Sequence, residues 1–328
     1  MGTLVGHVAP GFGFFLIGLW HLLNQIKLHA AHPRSYTSPP WFAASRLRYA
    51  ELFAIMAGCC MSVAMELFVG PSRHQPLDSD WTIPSNHLHN FEHSLISASF
   101  FTYAAFAIVL DKTLTGPKTA KTRNGLTQLI GAVAFGQQLL LFRLHSTDHM
   151  GVEGQYHLLL QAVIVVSIAT TLLGIAFPRS FLISFVRSVS ILFQGVWLVI
   201  MGFMLWTPSL LPKRCFLNLE EGHDVVRCHS DEALHRAKSL VNIGFSWFLI
   251  LITAFSVGLY LALVKIYGDT AEYQSLTKTA GLDEEEEEEE DGGESDDVES
   301  QKKIKFGETK SFIHVGNSKN FAALDIER

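Results

Sequence analysis

Outside residues 267–328 the chain is short of charge. Residues 1–266 carry 13 acidic and 18 basic side chains, whereas charged residues make up about a quarter of a soluble globular chain. So few ionic groups cannot cover a water-facing surface, which excludes an ordinary soluble protein of this length. Cysteine is scarce as well, with four in 328 residues, too few for the disulfide-dense frame of a small secreted domain. The apolar stretches lack the alternation of about ten residues that a membrane barrel needs. No basic cluster resembles a nucleic-acid-binding motif, because Lys and Arg are spread over the connecting segments.

The sequence does contain long apolar runs. A bilayer core about 30 Å thick needs roughly 20 mostly apolar residues per helix. Seven stretches qualify: Leu4 to Gln25, Tyr49 to Val69, Asn86 to Leu110, Gly125 to His145, Gln155 to Phe177, Phe181 to Trp206 and Leu240 to Ile266. The predicted fold is all-α and polytopic, with a seven-helix transmembrane domain over 1–266 and a separate tail over 267–328. The first run has no basic start and holds His7 and His21, so it reads as a span rather than a cleaved leader. Met1-Gly2 is followed by Gly6 where Ser or Thr would mark myristoylation. Gly11, Gly13 and Gly18 read as close-packing positions in the first span.

Lys and Arg set the expected orientation. The first connection has Lys27, Arg34, Arg46 and Arg48, and the third has Lys112, Lys118, Lys121 and Arg123, whereas the second has only Arg73. The N-terminus is therefore expected outside and the C-terminus in the cytosol. The sixth connection mixes Lys213, Arg214, Arg227, Arg236 and Lys238 with as many acids, and its Cys215 and Cys228 are placed to bond in an oxidising compartment. Residues 267–328 hold 18 acids and 7 bases, including seven consecutive Glu within Asp283 to Asp291. Such a block repels itself and buries little, so the tail is expected to be disordered. It is either a simple solvated tail or one that docks a cytosolic protein partner; the remaining partner is the lipid bilayer.

With odd spans descending and even spans ascending, ionisable residues sort by leaflet. His7, Glu66, His87, His89, Glu92, His93, His145, His149 and His157 all fall in the outer layer, delivered by five spans. Ionisable groups inside a membrane are costly unless paired, hydrated or ligated, so they mark a functional site by default. His89, Glu92 and His93 share one helical face at i, i+3 and i+4. His89-Asn90-Phe91-Glu92-His93 spells H-x-x-E-H, in which two His hold a metal and Glu acts as base. The candidate ligands are His89, His93, His145, His149 and His157, for zinc or another transition metal. Glu66 and Glu92 are the candidate catalytic carboxylates. Haem ranks behind a single metal ion, because the histidines crowd one face rather than stacking through the bundle. His21, Asn24 and Glu51 lie toward the inner face, and Gln137, Gln138 and Gln194 lie mid-span, either joining helices or extending a polar route inward.

Gly6-His7, Pro10-Gly11, Gly18-Leu19-Trp20, Met65-Glu66, His93 and His157-Leu158-Leu159 together resemble the transmembrane protein 45 family. The resemblance covers about residues 1 to 266 and leaves out the acidic tail. It implies a seven-helix protein of the plasma membrane or endomembranes, with plant members responsive to virus infection or stress. It implies no reaction. Three readings follow: a membrane metalloprotein or metalloenzyme, a proton- or ion-coupled transporter, and a receptor-like or organising protein whose histidines are structural.

Overall fold

A computed structural model describes residues 4–70, 75–144, 151–220 and 223–290, with His223 and residues 269–290 as backbone only. Its helices are α1 (Leu4–Ala31), α2 (Ala50–Ala64), α3 (Leu88–Thr113), α4 (Ala120–Leu144), α5 (Val152–Ala176), α6 (Phe181–Trp206) and α7 (Asp231–Glu290). A π-helical turn, Met65–Val69, extends α2. Among the described residues seven helices are long and apolar enough to cross a membrane, as the apolar runs imply. The fold is all-α and polytopic. The chain divides into two units, Met1–Thr277 and Lys278–Arg328. In the second unit residues 278–290 are described, and their backbone is helical. Helical backbone thus continues past Ile266, where the seventh apolar run stops; Glu is a good helix former even where like charge opposes it.

Among the described residues the one addition to the expected all-helical body is an antiparallel hairpin between α6 and α7. Strands β1 (Cys215–Glu220) and β2 (His223–Cys228) pair in register from Cys215 opposite Cys228 to Glu220 opposite His223. Cys215 and Cys228 are disulfide-bonded. The pattern Phe216, Leu219, Val225 and Val226 is too short and mixed to separate from loop by periodicity alone.

Helix α6 is the most enclosed of the seven. It packs against α1 on one side and α5 on the other, and from α5 the packing continues through α4 and α3 to α2. The α1–α6 crossing depends on glycine. A Cβ on Gly18 would lie 2.3 Å from the Leu192 nitrogen, and one on Gly195 would lie 2.2 Å from the Phe15 nitrogen. Gly11 also meets α6, with its Cβ position 2.9 Å from the Leu198 Cβ, whereas Gly13 faces open space. The close-packing expectation therefore holds for Gly11 and Gly18 and fails for Gly13, which lies on the opposite side of α1.

Helix α7 lays Phe245 against Phe193 and Trp197 of α6 and Tyr260 against Phe181 and Phe185. Elsewhere α7 and α2 expose large apolar side chains, among them Trp247, Ile250, Leu251, Phe53, Met61 and Phe68. Exposed apolar surface of this extent suits lipid rather than water.

Two contacts define the ends of the bundle. The Ser38 amide donates to the Pro178 carbonyl at 2.8 Å, joining the α1–α2 and α5–α6 connections on one face. On the other face, β2 packs against α5. Asp111, at the end of α3, ties the first of these faces together. It accepts from Arg48 Nη2 at 2.8 Å and the Tyr49 hydroxyl at 2.9 Å, and pairs with Arg123 Nη1 at 3.3 Å.

Candidate functional site

The π-helical turn Met65–Val69 packs against α3 at the end of α2. Such turns insert an extra residue and often sit at functional positions. Here the turn holds Glu66, whose carboxylate reaches across to α3. Asn90 Nδ2 donates to Glu66 Oε2 at 2.7 Å, and His93 Nδ1 meets Glu66 Oε1 at 3.1 Å. A carboxylate on one imidazole nitrogen fixes the tautomer and orients the ring. One turn deeper, Ser97 donates to Ser62 at 2.8 Å.

A second group lies where α1, α4, α5 and α6 end. His7 and His157 are both buried, with ring centroids 5.8 Å apart. Trp206 stacks on His7 at 4.4 Å, and Phe142 tilts against His157 at 5.5 Å. Glu153, one turn before His157 on α5, is also buried. His7, His89, Glu92, His93, Glu153 and His157 all have further interaction partners.

The sequence-predicted layer is thus partly assembled. The structure brings Glu66 to His93 and His7 to His157. His89 and Glu92 are half-buried on α3 beside His93; the donor that joins His93 on Glu66 is Asn90 rather than either of them. His87 is buried, with Nδ1 3.5 Å from the Pro76 carbonyl. His145 and His149 lie outside the described residues. Among the described residues no three His, Cys, Asp or Glu side chains converge as a group able to hold a metal ion.

The opposite face carries a denser polar cluster. Glu51, in the first turn of α2, is buried and accepts from Trp20 Nε1 at 3.0 Å and the Phe42 amide at 2.8 Å, while His21 Nε2 lies 2.7 Å away. The His21–Glu51 contact joins α1 to α2. Beside it, Gln25 donates to Ser38 at 2.9 Å and accepts from the Tyr36 hydroxyl at 2.6 Å, and that hydroxyl also meets Ser184. Tyr36 lies outside the spans, and burial pushes its phenol above the usual tyrosine range, so it stays a neutral donor. Asn24, grouped with these by position, instead bonds back within its own helix, its Nδ2 donating to the Trp20 carbonyl at 2.8 Å.

At mid-depth Gln194 donates to Ser167 at 2.7 Å, and Ser167 meets Ser190 at 2.8 Å. Gln194 therefore joins α5 to α6. Gln138 is fully enclosed, and its Oε1 meets no hydrogen-bond donor among the described residues.

Arg187 Nη2 joins the denser cluster, donating to the Ser38 hydroxyl and the Pro39 carbonyl, both at 3.3 Å. Asn90, Ser38 and Arg187 are members of these clusters that reading the sequence by ionisable type and leaflet does not identify. Arg187 had a signal available: it is a single cation inside an otherwise apolar run, and such a residue is a site candidate in its own right.

Residues 124–261 match the model of a family of unknown function, DUF716. The matched stretch takes in most of α4, all of α5, α6 and the hairpin, and α7 as far as Leu261. His157 and Arg187 lie within it, and Glu51, Glu66, His89 and His93 lie before it.

Proposed function

We propose that this is a multi-pass membrane protein of the transmembrane protein 45 type whose His/Glu layer binds one transition-metal ion, with zinc the first candidate. The observation that carries the reading is the Glu66–His93 pair, braced by Asn90. A carboxylate on Nδ1 makes Nε2 the ligating nitrogen, the arrangement that second-shell carboxylates impose at metal centres. In this reading Glu66 orients a ligand rather than acting as base, and Glu92 is the base for a metal-bound water. The other ligands come from His89, His145, His149 and His157. The described residues do not complete the coordination sphere, so the reading depends on His145 and His149.

The charge pattern and the hairpin support the orientation that goes with this. The face joined by Ser38 and Pro178 carries the Lys- and Arg-rich connections, which favours the cytosol. The disulfide lies in the connection on the other side, which favours an oxidising compartment. The metal layer then faces outward and the C-terminus is cytosolic.

Elemental analysis of protein purified without chelators tests the proposal. We expect close to one equivalent of zinc, copper or iron, lost in the His89→Ala/His93→Ala double variant while helix content is kept. Metal-free native protein, or full occupancy in the double variant, would contradict it.

A further inference from the structure

Asp111 is over-supplied with positive charge. Its Oδ2 accepts from Arg48 Nε at 3.0 Å, Arg48 Nη2 at 2.8 Å and the Tyr49 hydroxyl at 2.9 Å, and its Oδ1 lies 3.3 Å from Arg123 Nη1. That carboxylate is buried, whereas the Arg48 side chain keeps 60% of its surface exposed, and its Nη1 meets no acceptor among the described residues. Lys112, the next residue on α3, is exposed and joins no ion pair among the described residues. Its ammonium lies 5.8 Å from the centre of the Tyr49 ring, and the Arg48 guanidinium lies 5.7 Å from the same ring and from that of Trp41. Three cations thus gather around one carboxylate and leave two positive charges unmatched.

A second observation, independent of charge, sets the depth. Leu47, between Arg46 and Arg48, is 54% exposed, and Trp41 and Tyr49 are half-buried with ring centroids 5.5 Å apart. Trp and Tyr collect at the level of lipid headgroups, and an exposed leucine flanked by arginines suits the boundary where headgroups meet acyl chains. A preference for basic connections on one side of a membrane explains why cations occur here. It does not explain why two of them are held on aromatic rings beside an apolar side chain. An acidic peptide would match the charge and leave Leu47 in water, whereas a phospholipid offers an anion to the cations and an acyl chain to the leucine. Forked guanidinium donors fit a phosphate oxyanion, and the unmatched charge favours a headgroup with a phosphate monoester over a single diester.

We propose that Arg48 and Lys112, carried on Trp41 and Tyr49, bind the headgroup of an anionic phospholipid that bears a phosphate monoester. The lipid arrives along the bilayer plane onto exposed side chains, so the surface needs no enclosed cavity. This site lies at the opposite end of the bundle from the His/Glu layer, and its test does not depend on metal.

The test uses the full chain in detergent and native mass spectrometry, with phosphatidylinositol 4-phosphate, phosphatidylinositol and phosphatidylcholine as probes. One phosphatidylinositol 4-phosphate should be retained per protein under conditions that strip the other two. Lys112→Gln and Arg48→Gln should each weaken retention about fivefold, the effect of removing one cation at an anionic surface. Lys112→Gln leaves the Asp111 network intact, so the proposal stays testable if Arg48→Gln does not fold. Lys27, which lies over the Tyr267 ring of α7 at 5.1 Å, is a cation on the same side of the bundle and outside the proposed site. Lys27→Gln should retain the lipid as the wild type does. The proposal is overturned if phosphatidylinositol 4-phosphate is not retained in preference to the other two lipids, or if Lys27→Gln weakens retention as much as Lys112→Gln does. Displacement of the lipid by a hepta-glutamate peptide would assign the surface to an acidic protein segment and overturn it as well.

Discussion

Glu66 holds two donors with its two oxygens, Asn90 on one and His93 on the other. Removing it should release the His93 ring without touching a ligand. We expect Glu66→Ala to lower metal affinity by about 10- to 100-fold, the usual cost of losing a carboxylate behind a ligating imidazole, with helix content unchanged. Chelator competition measures this, and an unchanged affinity would remove Glu66 from the account. The presence of Glu66 and His93 in one layer was legible from leaflet sorting alone. That Asn90 is the second donor was not, because an amide gives no signal in a search for ionisable groups. The H-x-x-E-H spacing correctly put three residues on one helical face. It could not show which of them faces α2, since that depends on the π-helical turn, and the extra residue there leaves no mark in Met65-Glu66-Leu67-Phe68-Val69.

Among the elements, the α1–α6 crossing is the most tightly constrained. Gly18 and Gly195 let backbones meet where any side chain would collide, the device by which membrane helices pack without a hydrophobic drive. Gly18→Ala should destabilise the bundle by about 1–3 kcal/mol through overpacking, read as a lower melting temperature in detergent. Gly13→Ala, which meets open space, should melt as the wild type does. Equal melting of the two variants would contradict the packing. The helices were readable because a bilayer needs about 20 apolar residues for each crossing and leaves few other forms for the backbone. The hairpin was not: its six-residue strands pair in a register that sets Cys215 opposite Cys228, and the spacing of those two cysteines suggested only that they could bond.

At the scale of the whole molecule, the ionisable side chains buried among the described residues gather at two levels. One is the His/Glu layer beside the disulfide-bonded hairpin. The other is the Glu51 and Arg187 region under the α1–α2 connection. Leaflet sorting named Glu66 and His93 at the first level and His21 and Glu51 at the second, which the structure pairs, but it followed His and Glu and passed over a lone Arg in an apolar run. The inner cluster also depends on Tyr36, Ser38 and Pro39, connection residues that fold back into the bundle, and no periodicity marks such a return. The match over residues 124–261 to a family of unknown function spans parts of both levels and attaches a reaction to neither. The central claim is that the outward layer is a metal site built from imidazole. X-ray absorption at the edge of the bound metal, on the purified full chain, tests it most directly. The account predicts a first shell of nitrogen and oxygen at about 2.0–2.1 Å with the outer-shell scattering of several imidazole rings. A shell of sulfur at about 2.3 Å, or no imidazole scattering, would contradict it.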